Sequence, residues 1–148
     1  MLHNWKNRIT PPGIIENLPE GKIFVFGSNQ SGRHGKGAAK KALTWGAIWG
    51  QAEGLQGRTY GIPTKNKSVK RILSVKEIQP YVDRYIEFCK QHPEMIFWTT
   101  EIGCGLSKYK PKHIAPLFEA AIPVQNICFT ERFWHKLIKE EQNIETTV

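Results

Sequence analysis

Residues Lys22 to Leu43 read KIFVFGSNQSGRHGKGAAKKAL: an apolar run that stops at Gly-Ser-Asn, a glycine-rich basic loop, and an alanine-rich segment of helical composition. Ile23, Phe24, Val25 and Phe26 are β-branched or aromatic without polar alternation, the pattern of a strand covered on both faces and therefore central in its sheet. Gly27, Gly32, Gly35 and Gly37 permit positive φ and close backbone approach, so the peptide N–H groups of the loop can converge on one bound group. A helix beginning near Gly37 or Ala38 adds a partial positive charge, and Arg33, His34 and Lys36 add side-chain donors. The guest this arrangement predicts is an anion, with phosphate the first choice.

Working outward, Ala38 to Ile48 reads as a short helix with Ala42, Trp45 and Ile48 on its sheet side, and Gly50 to Gly57 as a loop. Arg58 to Thr64 is a second strand ended by Pro63, and the basic stretch Lys65 to Arg71 is a loop. Ser74 followed three residues later by Glu77 is a capping-box signature. It opens a helix through Gln91 with Val75, Ile78, Val82, Tyr85, Ile86 and Cys89 at helical spacing and Pro80 predicting a mild kink or a short preceding turn. Met95 to Glu101 is a third strand running into a second glycine loop, Ile102-Gly103-Cys104-Gly105-Leu106. Pro111 to Ala121 is a helix, Val124 to Thr130 a fourth strand, and Glu131 to Glu141 a last helix. The prolines of the first twenty residues predict irregular structure, with a short edge strand near Ile14. Residues 1–13 and 142–148 are expected to be peripheral or frayed.

Alternating strands and helices indicate an α/β fold with a mainly parallel or mixed sheet, and ligands on such sheets bind at the carboxyl ends of the strands, where both glycine loops fall. The 148 residues suit a single domain. No apolar run is long enough to span a membrane and the first residues lack a signal-like apolar core, so a cytoplasmic protein without membrane partners is expected. Cys89, Cys104 and Cys128 stand singly, without a metal-binding spacing, and read as reduced thiols; no metal site is expected. The formal charge of +8, from 21 Lys and Arg against 13 Asp and Glu, attracts anions, whether phosphorylated small molecules or nucleic acid. No RNP pattern, zinc finger or KH loop accompanies it.

FGSN with SGRHGKGAA, then GRTYGIPT, then TTEIGCGLSKYKP, together resemble the macrodomain plan over roughly Lys22 to Thr130, and the chain looks like a divergent, phage-type or bacterial macro-like protein. The resemblance implies a three-layer α/β/α sandwich that binds ADP-ribose or a related NAD-derived nucleotide, free or on an ADP-ribosylated macromolecule, needs no cofactor, and in some members hydrolyses ADP-ribosyl bonds. It places Asn29 at the distal ribose; Gly35, Gly37 and Ala38 around that ribose and the pyrophosphate; Gly103, Cys104, Gly105, Leu106 and Ser107 at the diphosphate, followed by Tyr109; and Phe129 against adenine, with Gly27, Ser28, Arg33 and Lys36 as further ligand-binding candidates of the same cleft. The Asp that reads the adenine amino group in the family has no clean equivalent in the N-terminal segment, and the Arg33-His34-Lys36 insertion is unusual.

Several of these residues carry a plainer reading too. Asn29 closes a strand as readily as it holds a ligand, His34 is a general acid or base or else a solvated loop residue, and Cys104 is a nucleophile or a packing thiol. Glu101 is a carboxylate aimed into the cleft or one satisfied by neighbouring donors. If hydrolysis occurs, Asn29, Glu101 and His34 are the catalytic candidates. The rival from another class is a nucleic-acid-binding module that uses the basic surface and releases its ligand with salt. The five tryptophans read as core and edge packing rather than as a stacking platform.

Overall fold

The computed structural model describes residues 4–105 and 109–138. Its frame is a five-stranded mixed sheet, with β1 (Lys22–Asn29), β2 (Gly54–Gln56), β3 (Thr59–Lys65), β4 (Ile96–Thr99) and β5 (Ile127–Phe129) in the order β2-β3-β1-β4-β5. β1 is the middle strand, parallel to both β3 and β4, and β5 is parallel to β4; β2 alone is antiparallel. The four helices are α1 (Gly37–Leu43), α2 (Val75–Gln91), α3 (Pro111–Ile114), continued by a 3₁₀ segment Ala115–Ala121, and α4 (Glu131–Leu137). No helix among the described residues is long and apolar enough to cross a membrane.

The unbroken apolar run of β1 has the consequence expected of it. Ile23 and Val25 join a core with α2, the 3₁₀ segment and α4, whereas Phe24 and Phe26 join a smaller cluster with Ala39 and Ala42 of α1 and with Ile15 and Leu18. Successive residues of a strand face opposite ways, so two cores of different origin fix β1 from both sides.

Local signals position the rest. Ser74 accepts the Glu77 N–H and Glu77 accepts the Ser74 N–H, so the capping box closes, and α2 runs unbroken through Pro80. At its other end the Asn126 side-chain amide reaches the carbonyls of Cys89, His92 and Met95, each at 3.0 Å, supplying donors that the helix terminus lacks. Pro63 lies within β3 and does not end it. β2 covers only Thr59–Gly61, so the strand has an open side where the proline lacks its N–H.

Four expectations are corrected. First, α1 stops at Leu43, leaving Ile48 53% exposed, because the chain turns at Gly46, whose φ is +107° and whose backbone packs on that of Gly57. Second, the segment Gly50 to Gly57 is not all loop: Gly54–Gln56 pairs with β3 as an edge strand that its neighbour specifies. Third, no strand forms at Ile14, which is 81% exposed. Fourth, the described part of the N-terminal segment is anchored: Trp5, Arg8 and Thr10 are buried, Ile9 bridges to Phe129, and the Trp134 indole N–H donates to the Arg8 carbonyl. That bridge covers the outer edge of β5. Residues 142–148 lie outside the described residues.

Candidate functional site at the carboxyl rim of the sheet

Because β3, β1, β4 and β5 are parallel, their carboxyl ends share one rim, and the connections following β1 and β4 leave it side by side. The second of them packs on β1 at Gly27. A methyl placed there would lie 3.3 Å from Thr64 Oγ1, 3.5 Å from Ile102 Cβ and 3.6 Å from the Gly103 nitrogen. A residue without a side chain therefore lets the second glycine loop settle against the first core strand.

The first loop is built by its own polar residues. Asn29 Oδ1 accepts from the Arg33 N–H and the Ser31 hydroxyl, each at 2.9 Å, while Asn29 Nδ2 donates to the Arg33 carbonyl at 2.8 Å. The Asn29 amide is thus engaged within the loop, as Asn does at tight turns. The Ser28 hydroxyl donates to the Ala52 carbonyl, and the Gly50 N–H donates to the Gly32 carbonyl at 2.8 Å, so the segment 50–56 folds onto the loop. His34 corrects the solvated-loop reading: it is fully buried. Its ring meets Phe26 edge-on at 5.3 Å, and its Nε2 lies 3.3 Å from Gln56 Oε1. That same oxygen accepts the Ile48 N–H, so Nε2 is the donor to it, and the buried Nδ1 has no partner among the described residues.

Arg33, Gly35, Lys36, Gly37 and Ala38 form the exposed arc of the loop. The N–H groups of Gly35 through Ala38 make no hydrogen bond among the described residues. The candidate residues thus divide into Ser28, Asn29 and His34, which build the loop, and the arc, which presents donors outward.

In the second loop Ile102 N–H donates to Thr100 O and Cys104 N–H to Glu101 O, at 2.8 and 3.1 Å. Gly103 holds φ +72° against Ile114 and Tyr109, and Gly105 is exposed with open space around it. Leu106 and Ser107 lie outside the described residues. Tyr109 donates its hydroxyl to the Leu73 carbonyl at 2.9 Å, tying the far end of the loop to the start of α2. Burial, and then the nearby Glu101 charge, push the Cys104 thiol up to about 12, so it is protonated at neutral pH and a poor nucleophile.

Glu101 is held at the end of β5. One oxygen accepts from the Thr130 hydroxyl and from Arg132 Nε at 2.7 Å; the other accepts from Arg132 Nη2. Burial favours the protonated acid, but the hydrogen bonds from Arg132 and Thr130 and the Arg132 charge outweigh it and hold the carboxyl below its ordinary value. A depressed pKa contributes stability that is complete above the unfolded-state value and is lost as pH falls through the folded one. The melting temperature of the wild type should therefore fall more steeply than that of Glu101→Gln below about pH 4.5, and coincident acid profiles of the two proteins would refute this.

Glu101, Thr130 and Arg132, with Ile9, Pro12, Gly13 and Glu131, line a cleft of about 520 Å³ beside the second loop. Sequence reading did not find Thr130, Arg132 or the N-terminal wall. The available signal was Thr130 ahead of an apolar helical stripe, a helix N-cap whose hydroxyl is thereby placed at the strand end. Phe129 is corrected: it is fully buried among Phe118, Phe133 and Trp134 and presents no face to a base.

Searches of protein-family models, curated proteins and solved structures found no match to this chain.

Proposed function

We propose that the protein is a cytoplasmic, macro-like α/β/α domain that binds ADP-ribose or a related NAD-derived nucleotide across this rim. The observation that carries the reading is the close packing of the second glycine loop on β1 at Gly27, beside an exposed arc whose amides from Gly35 to Ala38 have no partner among the described residues. In this reading the diphosphate lies along the second loop and the distal ribose toward the arc. The base enters the cleft of Ile9, Pro12, Thr130 and Arg132, whose volume is within the usual range of small-molecule sites. Arg132 and Thr130 then take the place that Phe129 cannot.

Binding is favoured over hydrolysis. His34 is enclosed, Asn29 is engaged within its loop, and Glu101 has both oxygens paired and a depressed pKa that suits neither a general acid nor a strong base. Isothermal titration with ADP-ribose should give saturable heat, with ADP-ribose recovered intact from the complex. Absence of heat at high micromolar ligand, in protein whose circular dichroism shows it folded, would overturn the assignment.

A further inference from the structure

The positive charge of this chain is strongly localised. Residues 22–76 hold eleven of its 21 basic residues and one of its 13 acidic ones, Glu53, which leaves ten basic against twelve acidic in the rest. Glu53 is taken up by Arg84, whose Nε lies 2.8 Å from its carboxylate. Within the segment Lys41 pairs with Glu16, Arg71 pairs with Glu77, and Arg58 donates to the carbonyls of Leu18 and Pro19. Arg33, Lys36, Lys65, Lys67 and Lys70 have no ion pair among the described residues.

Four of these cations lie on two adjoining loops, and Lys65 ends β3 at the base of the second. The loop between β3 and α2 has a fixed shape: the Asn66 side chain accepts from the Arg71 N–H and the Ser68 hydroxyl, and its backbone exchanges hydrogen bonds with Arg71 and Val69. Val69 holds φ +64°, a conformation β-branched residues rarely take, and the bridge between Lys65 and Ile72 closes the loop at its base. Lys67 and Lys70 are left exposed on it. The Gln30 N–H donates to the Lys65 carbonyl at 2.9 Å, joining this loop to the glycine loop that carries Arg33 and Lys36. Beside the glycine loop stands Trp49, 61% exposed, with a ring carbon 4.0 Å from where a side chain on Gly35 would begin. It departs from the expectation of packing tryptophans: Trp5 and Trp134 are core, whereas Trp49 offers its indole to solvent beside a basic surface.

We infer that this face seats single-stranded nucleic acid, with phosphates on Arg33, Lys36, Lys65, Lys67 and Lys70 and one base stacked on Trp49. Unpaired cations alone would serve any polyanion. The exposed indole decides between partners, because a nucleotide strand uses both the charge and an aromatic platform, while an acidic peptide needs only the charge. The face shares Arg33 and Lys36 with the arc assigned to the distal ribose, whereas Lys67, Lys70 and Trp49 lie outside the residues assigned to that site, so variants at those three test the inference separately from the ADP-ribose reading.

The test is fluorescence anisotropy of labelled oligo-dT with the full chain across a salt series. The wild type should bind at low salt and weaken with a log–log slope of about −3, as expected for four or five phosphates neutralised on a single strand. The double variant Lys67→Glu/Lys70→Glu should lose about tenfold or more in affinity and show a shallower slope. Trp49→Ala should lose about fivefold or more with the slope unchanged. Both sets of side chains are exposed, and circular dichroism with the ADP-ribose titration checks that each variant is folded and that the neighbouring site is unaffected. No binding by the wild type at low salt overturns the inference. So does oligo-glutamate competing as well as oligo-dT while Trp49→Ala has no effect, a result that would assign the face to acidic proteins.

Discussion

Arg8→Ala should destabilise the fold by about 3–5 kcal/mol, the largest effect expected of any single substitution here. Arg8 is buried and has no carboxylate beside it among the described residues. Its guanidinium donates from Nε to Ile127 O at 3.0 Å, from Nη1 to Ile122 O at 2.7 Å, and from Nη2 to Ala121 O at 3.1 Å and Val124 O at 2.7 Å. Those carbonyls run from the last residue of the 3₁₀ segment, Ala121, through the turn at Ile122 and Val124 to the first residue of β5, Ile127; Ala121 O and Val124 O also accept the N–H groups of Val124 and Ile127. The guanidinium also sits over the Trp134 ring at 4.7 Å. Burial draws its pKa down from the ordinary value, with the Cys128 thiol acting in the opposite direction.

Truncation removes a donor from four carbonyls at once, two of which, Ala121 O and Val124 O, keep a backbone N–H partner, and an unsatisfied buried acceptor costs about 1–3 kcal/mol before any relaxation or water entry. With a melting shift of about 2–4 °C per kcal/mol for a chain of this size, calorimetry should register a fall of about 10 °C. Arg8→Met separates volume from hydrogen bonding: it keeps most of the apolar stem and should recover little. A melting temperature within about 2 °C of wild type for Arg8→Ala would mean that water satisfies the turn as well as the guanidinium does. The cleft should respond as well, since Arg8 tethers the segment that supplies Ile9, Pro12 and Gly13 to its wall.

The sequence disclosed those parts of the fold that rest on local chemistry. β1 was legible because four consecutive apolar residues admit only a doubly covered strand, and the start of α2 because Ser74 and Glu77 satisfy each other within four residues. β2 was not legible, since three residues containing a glycine acquire extended structure from the ladder that β3 offers. Nor was the role of Arg8, whose four acceptors lie more than a hundred residues away in the chain. The candidate site divides in the same way. The meeting of the glycine loops follows from strand order, and strand order from alternation. Whether Asn29 and His34 face a ligand or the protein depends on the fold-back of residues 48–56, and the glycines there signalled a break in structure without indicating where the chain returns.

That fold-back makes Gly32→Ala the second large effect. Gly32 holds φ +70°, and a methyl there would lie 2.4 Å from the Gly50 carbonyl carbon, 2.6 Å from the Gln51 nitrogen and 2.8 Å from the Gln51 carbonyl carbon. All three are backbone atoms, so no side chain can swing aside to relieve the overlap. The left-handed backbone costs about 1 kcal/mol for a residue with a Cβ, and forcing two packed segments apart costs about 1–3 kcal/mol more. Two neighbours calibrate the result. Gly37 has φ +57° but open space around it, so Gly37→Ala should cost only the backbone share; Gly35 has an ordinary φ and only Trp49 at 4.0 Å, so Gly35→Ala should be nearly neutral. Calorimetry of the three variants should rank them in that order, with Gly32→Ala lower in melting temperature by about 6–12 °C. Equal shifts for Gly32→Ala and Gly37→Ala would show that the segment at Gly50 yields freely and that the first loop is not held in place by it. The same displacement should break the Gly50-to-Gly32 hydrogen bond and loosen the cover over His34, so loss of ADP-ribose binding in Gly32→Ala but not in Gly35→Ala would tie the shape of the loop, rather than its glycine content, to the ligand.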